Sequence, residues 1–150
     1  VIRPSRLEDR ERIIEICLAS FYGVSIDHNI EEKFGLPKDS WQEKKRRSIE
    51  KELEKPELVF VAEEDGQVVG FITTQIDGDT GRIPNLGVDS AYRGRGLGKA
   101  LIAHALDFFR QQGLKLARIE TLDQNEVGKN LYPKMGFQQV ALQIHYAMEL

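Results

Sequence analysis

Apolar residues recur at helical spacing in some stretches of this chain and gather into β-rich runs between turn signals in others, and the switches between them mark out its elements. After an extended start over residues 1–4, Ile13, Ile14, Cys17, Leu18 and Phe21 repeat at helical intervals. Ser5 with Glu8 three residues later has the form of a capping box, so a helix is expected from there to about Phe21. Periodicity is weak from Tyr22 to Pro37. A second box, Ser40 with Glu43, then opens a helix with the narrow stripe Trp41, Ile49 and Leu53, which should stop before Pro56. Next, residues 58–63 and 67–76 are rich in Val, Phe, Ile and Thr and flank Asp65-Gly66, the signature of an antiparallel hairpin. Gly78 and Gly81 mark a turn, and residues 82–88 make a third strand in which Pro84 and Gly87 are expected at bulges or irregular positions. Leu97, Leu101, Ala105 and Phe108, widened by Ile102, Leu106 and Phe109, return to helical spacing with a face broad enough to cover a sheet, and Gly113 should end that helix. Residues 115–122 read as a strand, 126–134 as a short helix, and Phe137 onward as one or two last strands. The order βααβββαβαβ(β) predicts a mixed α/β layered fold.

At 150 residues the chain is expected to form one domain over residues 1–150, with no repeat or linker dividing it. Its 21 basic and 24 acidic residues leave a net charge of −3, which argues against a nucleic-acid partner needing a broad cationic face. No apolar run approaches the ~18–20 residues of a membrane span, and the start lacks the layout of a signal peptide. No membrane partner is therefore expected, and the cytoplasm is the default location. Cys17, the only cysteine, falls among core-forming residues and reads as a small hydrophobe. His28, His104 and His145 are scattered without metal-ligand spacing, so neither a metal nor a catalytic histidine is expected. Lys44-Lys45-Arg46-Arg47 is expected to be the solvated side of the second helix.

The candidate chemistry lies between the third strand and the broad-faced helix, in Arg93-Gly94-Arg95-Gly96-Leu97-Gly98-Lys99. Glycines let the backbone turn its N–H groups inward, and the helix start adds unpaired donors and the positive end of the helix dipole. With Arg93, Arg95 and Lys99 beside them, these are the makings of a phosphate cradle. A dinucleotide fingerprint would place glycine where Lys99 stands, and that reading fails. A Walker loop would place glycine at Arg93 and a hydroxyl residue at Ala100, which demotes a nucleoside triphosphatase.

The loop resembles the acyl-CoA loop of the GNAT superfamily of N-acetyltransferases, Arg/Gln-x-x-Gly-x-Gly/Ala, on Arg93, Gly96 and Gly98. Leu86-Gly87-Val88 is similar to that family's splayed strand, Tyr92-Arg93-Gly94 to its approach to the loop, and Asn125 with Leu131-Tyr132 and Gly136-Phe137 to its second CoA-proximal motif. The resemblance implies a mostly antiparallel central sheet of six to seven strands flanked by about four helices. Two residues depart from the family pattern. Gly128, where alanine is frequent, should loosen the short helix, and Pro133 should keep the backbone of Tyr132 away from the helical region.

By the same resemblance the co-substrate is acetyl-CoA, its pyrophosphate held by the N–H groups of Arg93, Gly94, Arg95, Gly96, Leu97, Gly98 and Lys99. The pantetheine arm would lie along Leu86, Gly87 and Val88 like an extra strand, with Gly87 a bulge that opens it. Asn125 would hydrogen-bond that arm or cap the next helix, and a backbone N–H near Val88 would polarise the thioester carbonyl. An amine of pKa ~10.4 is almost wholly protonated at pH 7, a deficit of about 4.6 kcal/mol, so a base is needed. Glu120 is spaced like the base of the ribosomal-protein N-terminal acetyltransferase branch. A surface ion pair with Arg118 or Lys115 is an equal reading of Glu120, and Glu63, Asp77 and Asp79 stand in reserve. Tyr132 would return a proton to the leaving thiolate. The implied activity is acetyl transfer to a primary amine by direct attack in a ternary complex, with a small-molecule amine placed before a protein N-terminus or lysine. A CoA-binding regulatory module without turnover is the alternative of another class. Residues 21–55, expected to line the acceptor groove, carry no readable motif, although the loop of His28 would border it, and a homodimer is left open.

Overall fold

In the computed structural model, which describes residues 1–35 and 38–150, the chain begins with β1 (Ile2–Pro4), α1 (Arg10–Phe21), α2 (Ile26–Phe34) and α3 (Trp41–Glu52). Five strands follow: β2 (Val59–Glu64), β3 (Gln67–Thr73), β4 (Gln75–Asp77), β5 (Thr80–Ile83) and β6 (Leu86–Val88). Then come α4 (Leu97–Gln111), β7 (Leu116–Ile119) and α5 (Glu126–Lys134). The strands form an antiparallel sheet in the order β1-β2-β3-β6 and a smaller sheet β4-β5-β7, in which β5 and β7 are parallel. The expected mixed, mostly antiparallel architecture is present, divided between two sheets.

The division falls at two points, Thr74 and Pro84. Residues 67–76 and 82–88, each expected as one strand, both break once. Thr74 turns its N–H and its hydroxyl to the Leu58 carbonyl (3.0 and 2.7 Å), and Pro84 has no N–H to give to a ladder. β3 stays paired with β2 and carries β6 on its other side, while β4 pairs with β5 and β5 with β7.

Alternation along β2 builds a core on each face of the larger sheet. Val59 and Val61 meet Ile13, Ile14, Cys17 and Ile49 of α1 and α3, whereas Phe60 and Ala62 meet Leu101, Ile102, Ala105 and Phe109 of α4. The β2–β3 register slips by one between Ala62 and Glu63, leaving Val69 without a partner of its own. Val68 and Phe71 therefore fall on the first face, and Val69 and Ile72 on the second. Cys17 is fully buried and burial pushes its thiol up to about 12, consistent with an inert core residue.

Ser5 does not cap α1. It is buried, its hydroxyl donating to the Pro56 carbonyl (3.0 Å) and its N–H to that of Val59 (2.7 Å), so tertiary partners displace the local cap. Asp9 closes the preceding turn instead, its carboxylate accepting the Arg6 N–H (2.8 Å) and the Arg3 guanidinium (2.8 Å). Helix α2 occupies most of the weakly periodic stretch, capped by Ser25, whose oxygen accepts the His28 N–H (3.5 Å). Pro37, where that stretch was expected to end, lies outside the described residues.

The last strands expected from Phe137 onward are absent. Residues 138–150 run without a turn or bend, and Val140, Leu142, Ile144, Tyr146 and Met148, though spaced at two, are between 75% and 93% exposed. Alternation makes a strand only where a neighbour offers a ladder, and none of the described residues does so here. Among the described residues no helix is long and apolar enough to cross a membrane.

Candidate functional site

The glycine loop joins β6 to α4. Asp89 shapes its approach, one carboxylate oxygen accepting the Ala91 N–H (2.8 Å) and the other gripped by the Arg12 guanidinium of α1. Gly94 and Gly96 both adopt φ of +79°, and a Cβ on either would stand in open space. Among the described residues the N–H groups from Arg93 to Lys99 have no hydrogen-bond acceptor; the first bond of α4 runs from the Ala100 N–H to the Gly96 carbonyl (3.0 Å). Arg95 is tied to Glu64 (3.3 Å) and lies over the Tyr92 ring, while Arg93 and Lys99 have no carboxylate partner among the described residues. Gly98 differs from its neighbours. It is helical, and a Cβ there would make only ordinary contact with Leu131 Cδ2 (3.6 Å), so the packing of α4 against α5 has room for one.

Beside the loop, β6 has β3 on one side and an open edge on the other. Thr73 donates its N–H to the Asn85 carbonyl (2.9 Å) and Asp89 donates to that of Val69 (2.8 Å). Hydrogen-bonded pairs alternate along an antiparallel ladder, so Gly87 faces Phe71, and Leu86 and Val88 turn their N–H and carbonyl groups to the open edge. Gly87 is not a bulge. Its register with Phe71 is regular, and glycine is required because a Cβ would come within 2.6 Å of Ser20 Oγ and 2.7 Å of Phe71 Cε1. The ladder to β7 ends at Ile83 and Ile119, so β6 and the residues after β7 bound a gap.

Glu120 stands at that gap. It is exposed and ion-paired with Arg82 (3.0 Å) and Arg118 (3.4 Å). Of the reserve carboxylates, Glu63 is bound to Arg3 (3.3 Å), and Asp77 and Asp79 lie at the turn that begins β5, the end opposite β6. Tyr132 lies in α5 against Phe137 (6.2 Å between rings), and its hydroxyl has no hydrogen-bond partner among the described residues. Burial raises its phenol above the ordinary value, so it is protonated at neutral pH.

Both expected departures in α5 are corrected by packing. A Cβ on Gly128 would come within 2.9 Å of Thr121 Oγ1 and 3.1 Å of the Tyr132 ring, so glycine admits these neighbours while the helix stays formed. Pro133 sits in the last turn, where only one N–H is lost. Bonds from Met135 to the Leu131 carbonyl (3.2 Å) and from Phe137 to that of Tyr132 (3.1 Å) close the end and keep Tyr132 helical. Asn125 caps α5, its Oδ1 accepting the Gly128 N–H (3.2 Å).

An open cleft of about 600 Å³, lined by Tyr22, His28, Asn29, Glu32, Lys33 and Gln124, lies where α2 faces the segment before α5. The Asn29 and Gln124 amides exchange two hydrogen bonds (2.9 and 3.0 Å), and Gln124 also donates to the Gly23 carbonyl (2.7 Å). His28 is buried edge-on to Tyr22 and Trp41 (5.0 and 5.4 Å). Of these residues only His28 was singled out by sequence; the spacing of Ile26, Ile30 and Phe34 was the available signal for their helix. Among the described residues no group of three or more His, Cys, Asp or Glu is placed to hold a metal.

The pattern of the acetyltransferase (GNAT) family matches residues 23–137, which contain the loop, the open edge, α5 and every lining residue of the cleft but Tyr22. The chain belongs to the GNAT family. Over 92 residues it is 33% identical to the mycothiol acetyltransferase of Thermomonospora curvata, a match covering 61% of this chain and 31% of that one. Over 89 residues it is 29% identical to the ribosomal protein bS18-alanine N-acetyltransferase of Escherichia coli, covering 59% of this chain and 60% of the relative. The GNAT chain thus spans between about a third and three fifths of the length of these relatives. Its fold superimposes on the PaiA N-acetyltransferase of Thermoplasma acidophilum in complex with coenzyme A with a TM-score of 0.75 at 24% identity, over 92% of this chain and 89% of that one.

Proposed function

We propose that this GNAT chain is an acetyl-CoA-dependent N-acetyltransferase, a single cytoplasmic domain that passes an acetyl group directly to a primary amine. The observation that carries this reading is the run of free N–H donors from Arg93 to Lys99 beside an open strand edge. The pyrophosphate of CoA suits the backbone of Arg93, Gly94, Arg95, Gly96, Leu97, Gly98 and Lys99, with the side chains of Arg93 and Lys99 supplying charge. The pantetheine arm suits the edge groups of Leu86 and the N–H of Val88, whose carbonyl accepts from Arg93 Nε (3.4 Å), and Asn125 holds the start of α5, from which Leu131 reaches the first turn of α4.

When bound, acetyl-CoA supplies an acyl group already activated as a thioester. The Val88 N–H, on the open edge, is suited to polarise its carbonyl. Glu120 takes the proton of the amine, with Arg82 fixing the carboxylate. Tyr132 holds a proton on Oη for the leaving sulfur. A cleft of about 600 Å³ falls within the roughly 300–1,000 Å³ of small-molecule sites, which favours a small amine as acceptor. The ribosomal-protein alanine acetyltransferase among its relatives favours a protein N-terminus as the second reading.

Ligand-linked melting tests the reading. Acetyl-CoA at about 100 times its Kd should stabilise the fold by roughly 2.7 kcal/mol and raise Tm by about 5–10 °C. NADH and ATP should do much less, and a larger shift with either would overturn the assignment of residues 93–99. Gly96→Val forces a branched side chain into a left-handed position and into the open space of the cradle, and is expected to weaken CoA binding about 10-fold or more in a folded protein. Titration calorimetry on that variant checks this, with Gly98→Ala, whose Cβ has room, as the mild control.

A further inference from the structure

Helix α3 carries two charged residues on its buried face. Lys45 lies four residues from both Trp41 and Ile49, and Glu52 three beyond Ile49, so all four share one side of the helix. Lys44, Arg46 and Arg47 reach carboxylates of Asp27, Glu11 and Asp39, but Lys45, expected in solvent with them, turns inward. Its Nζ lies 3.6 Å from the centre of the Phe21 ring and 2.6 Å from Asn85 Oδ1. Asn85 Nδ2 donates in turn to one Glu52 oxygen, and the other accepts from Gln75 (3.4 Å). Asn85 is itself 3% exposed, its N–H donating to Thr73 Oγ1 (3.0 Å) and its carbonyl accepting the Thr73 N–H (2.9 Å). One amide therefore bridges a cation and a carboxylate, oxygen toward the lysine and nitrogen toward the glutamate. Burial draws Lys45 down and pushes Glu52 up from their ordinary values; at Glu52 the hydrogen bond from Asn85 opposes that push, and each of the two charges opposes the other's shift.

The place of this bridge matters more than its strength. Asn85 is the residue at which the chain leaves the ladder of β5 with β7 and joins β3 as β6, and the next residue, Leu86, is the first with free groups on the open edge. Half-buried charges bridged in this way contribute little stability over apolar side chains of the same volume, but here they hold the buried Asn85 amide from both ends. We propose that Asn85, clamped by Lys45 and Glu52, is a positioning residue for acyl transfer: it fixes the split between the two sheets and thereby the aim of the Leu86 and Val88 N–H groups. This rests on the reading of that edge as the acyl slot.

Exchange of the amide and the carboxylate tests it. Asn85→Asp keeps size and the contact with Lys45 but sets a second carboxylate against Glu52. It should lower kcat by on the order of 10-fold while CoA affinity, set by residues 93–99, stays within about 2-fold. Adding Glu52→Gln restores both the charge balance and an N–H donor, and should return kcat to within about 3-fold of wild type. Should Asn85→Asp not fold, Glu52→Ala, which strands Lys45 and Asn85 Nδ2 but keeps both bonds to Thr73, must show the same split between kcat and CoA affinity. The proposal is overturned by a variant with a lowered Tm but wild-type kcat below that temperature, or by a double variant no better than the single. A wild-type chain that neither binds CoA nor releases it from acetyl-CoA would sink the reading of the slot, whereas wild-type turnover with Asn85→Asp unaffected sinks only the positioning role.

Discussion

If Tyr132 is the acid proposed for the leaving thiolate, Tyr132→Phe is expected to reduce turnover by about 10²–10⁴-fold while leaving acetyl-CoA affinity almost unchanged, because such an acid acts mainly in the transition state. The leaving thiol resembles a cysteine of pKa about 8.5, and burial raises the Tyr132 phenol above its ordinary value, so the transfer runs uphill and depends on the sulfur's developing negative charge beside the hydroxyl. Two features of the site fit that task. Burial keeps Tyr132 protonated at neutral pH, and its hydroxyl has no protein acceptor among the described residues to compete for the proton. Phenylalanine would keep the contact with Phe137 and the fit over Gly128, so stability should change little. Steady-state kinetics with a CoA-binding control checks this, and a loss below about 10-fold would make Tyr132 a packing residue.

Glu120→Gln should remove most activity at pH 7 and recover part of it as rising pH deprotonates the amine in solution. The glutamine keeps an oxygen for Arg82 but cannot accept a proton, so the variant isolates proton transfer from geometry. The amine's own titration gives the sign: at pH 7 the deficit is about 4.6 kcal/mol, and it shrinks by about 1.4 kcal/mol for each pH unit of increase. The Tyr132→Phe profile should lack this recovery. A Glu120→Gln enzyme with wild-type turnover at pH 7 would reduce Glu120 to the surface ion pair with Arg82 and Arg118.

Elements whose residues choose their own partners were legible in the sequence. The stripe of α4 and its stop at Gly113 are local, as are the cap Asn125 and the span of α5, and all appear where the periodicity places them. The glycine loop was legible for the same reason, since its conformation follows from φ at Gly94 and Gly96. Features decided by distant neighbours were not. The strand-forming composition runs unbroken through Thr74, and it does not show that Thr74 will turn to the Leu58 carbonyl or that β7 will arrive beside β5. Ser5 carried a valid capping pattern but found the Pro56 carbonyl instead. Lys45 sat in the middle of the Trp41–Ile49 stripe, yet its membership in a basic run outweighed that spacing. Gly87 shows the limit of reading glycine as a bulge, because its reason is Ser20 on a helix far back in the chain.

Release of free CoA from acetyl-CoA, followed across a panel of small amines and peptide N-termini, is the most direct measurement of what this site does. Amine-dependent release that saturates in both substrates and is strongest with a small amine is the expected result. Tight binding of acetyl-CoA with no release in the presence of any amine would contradict it and leave a CoA-binding module without turnover.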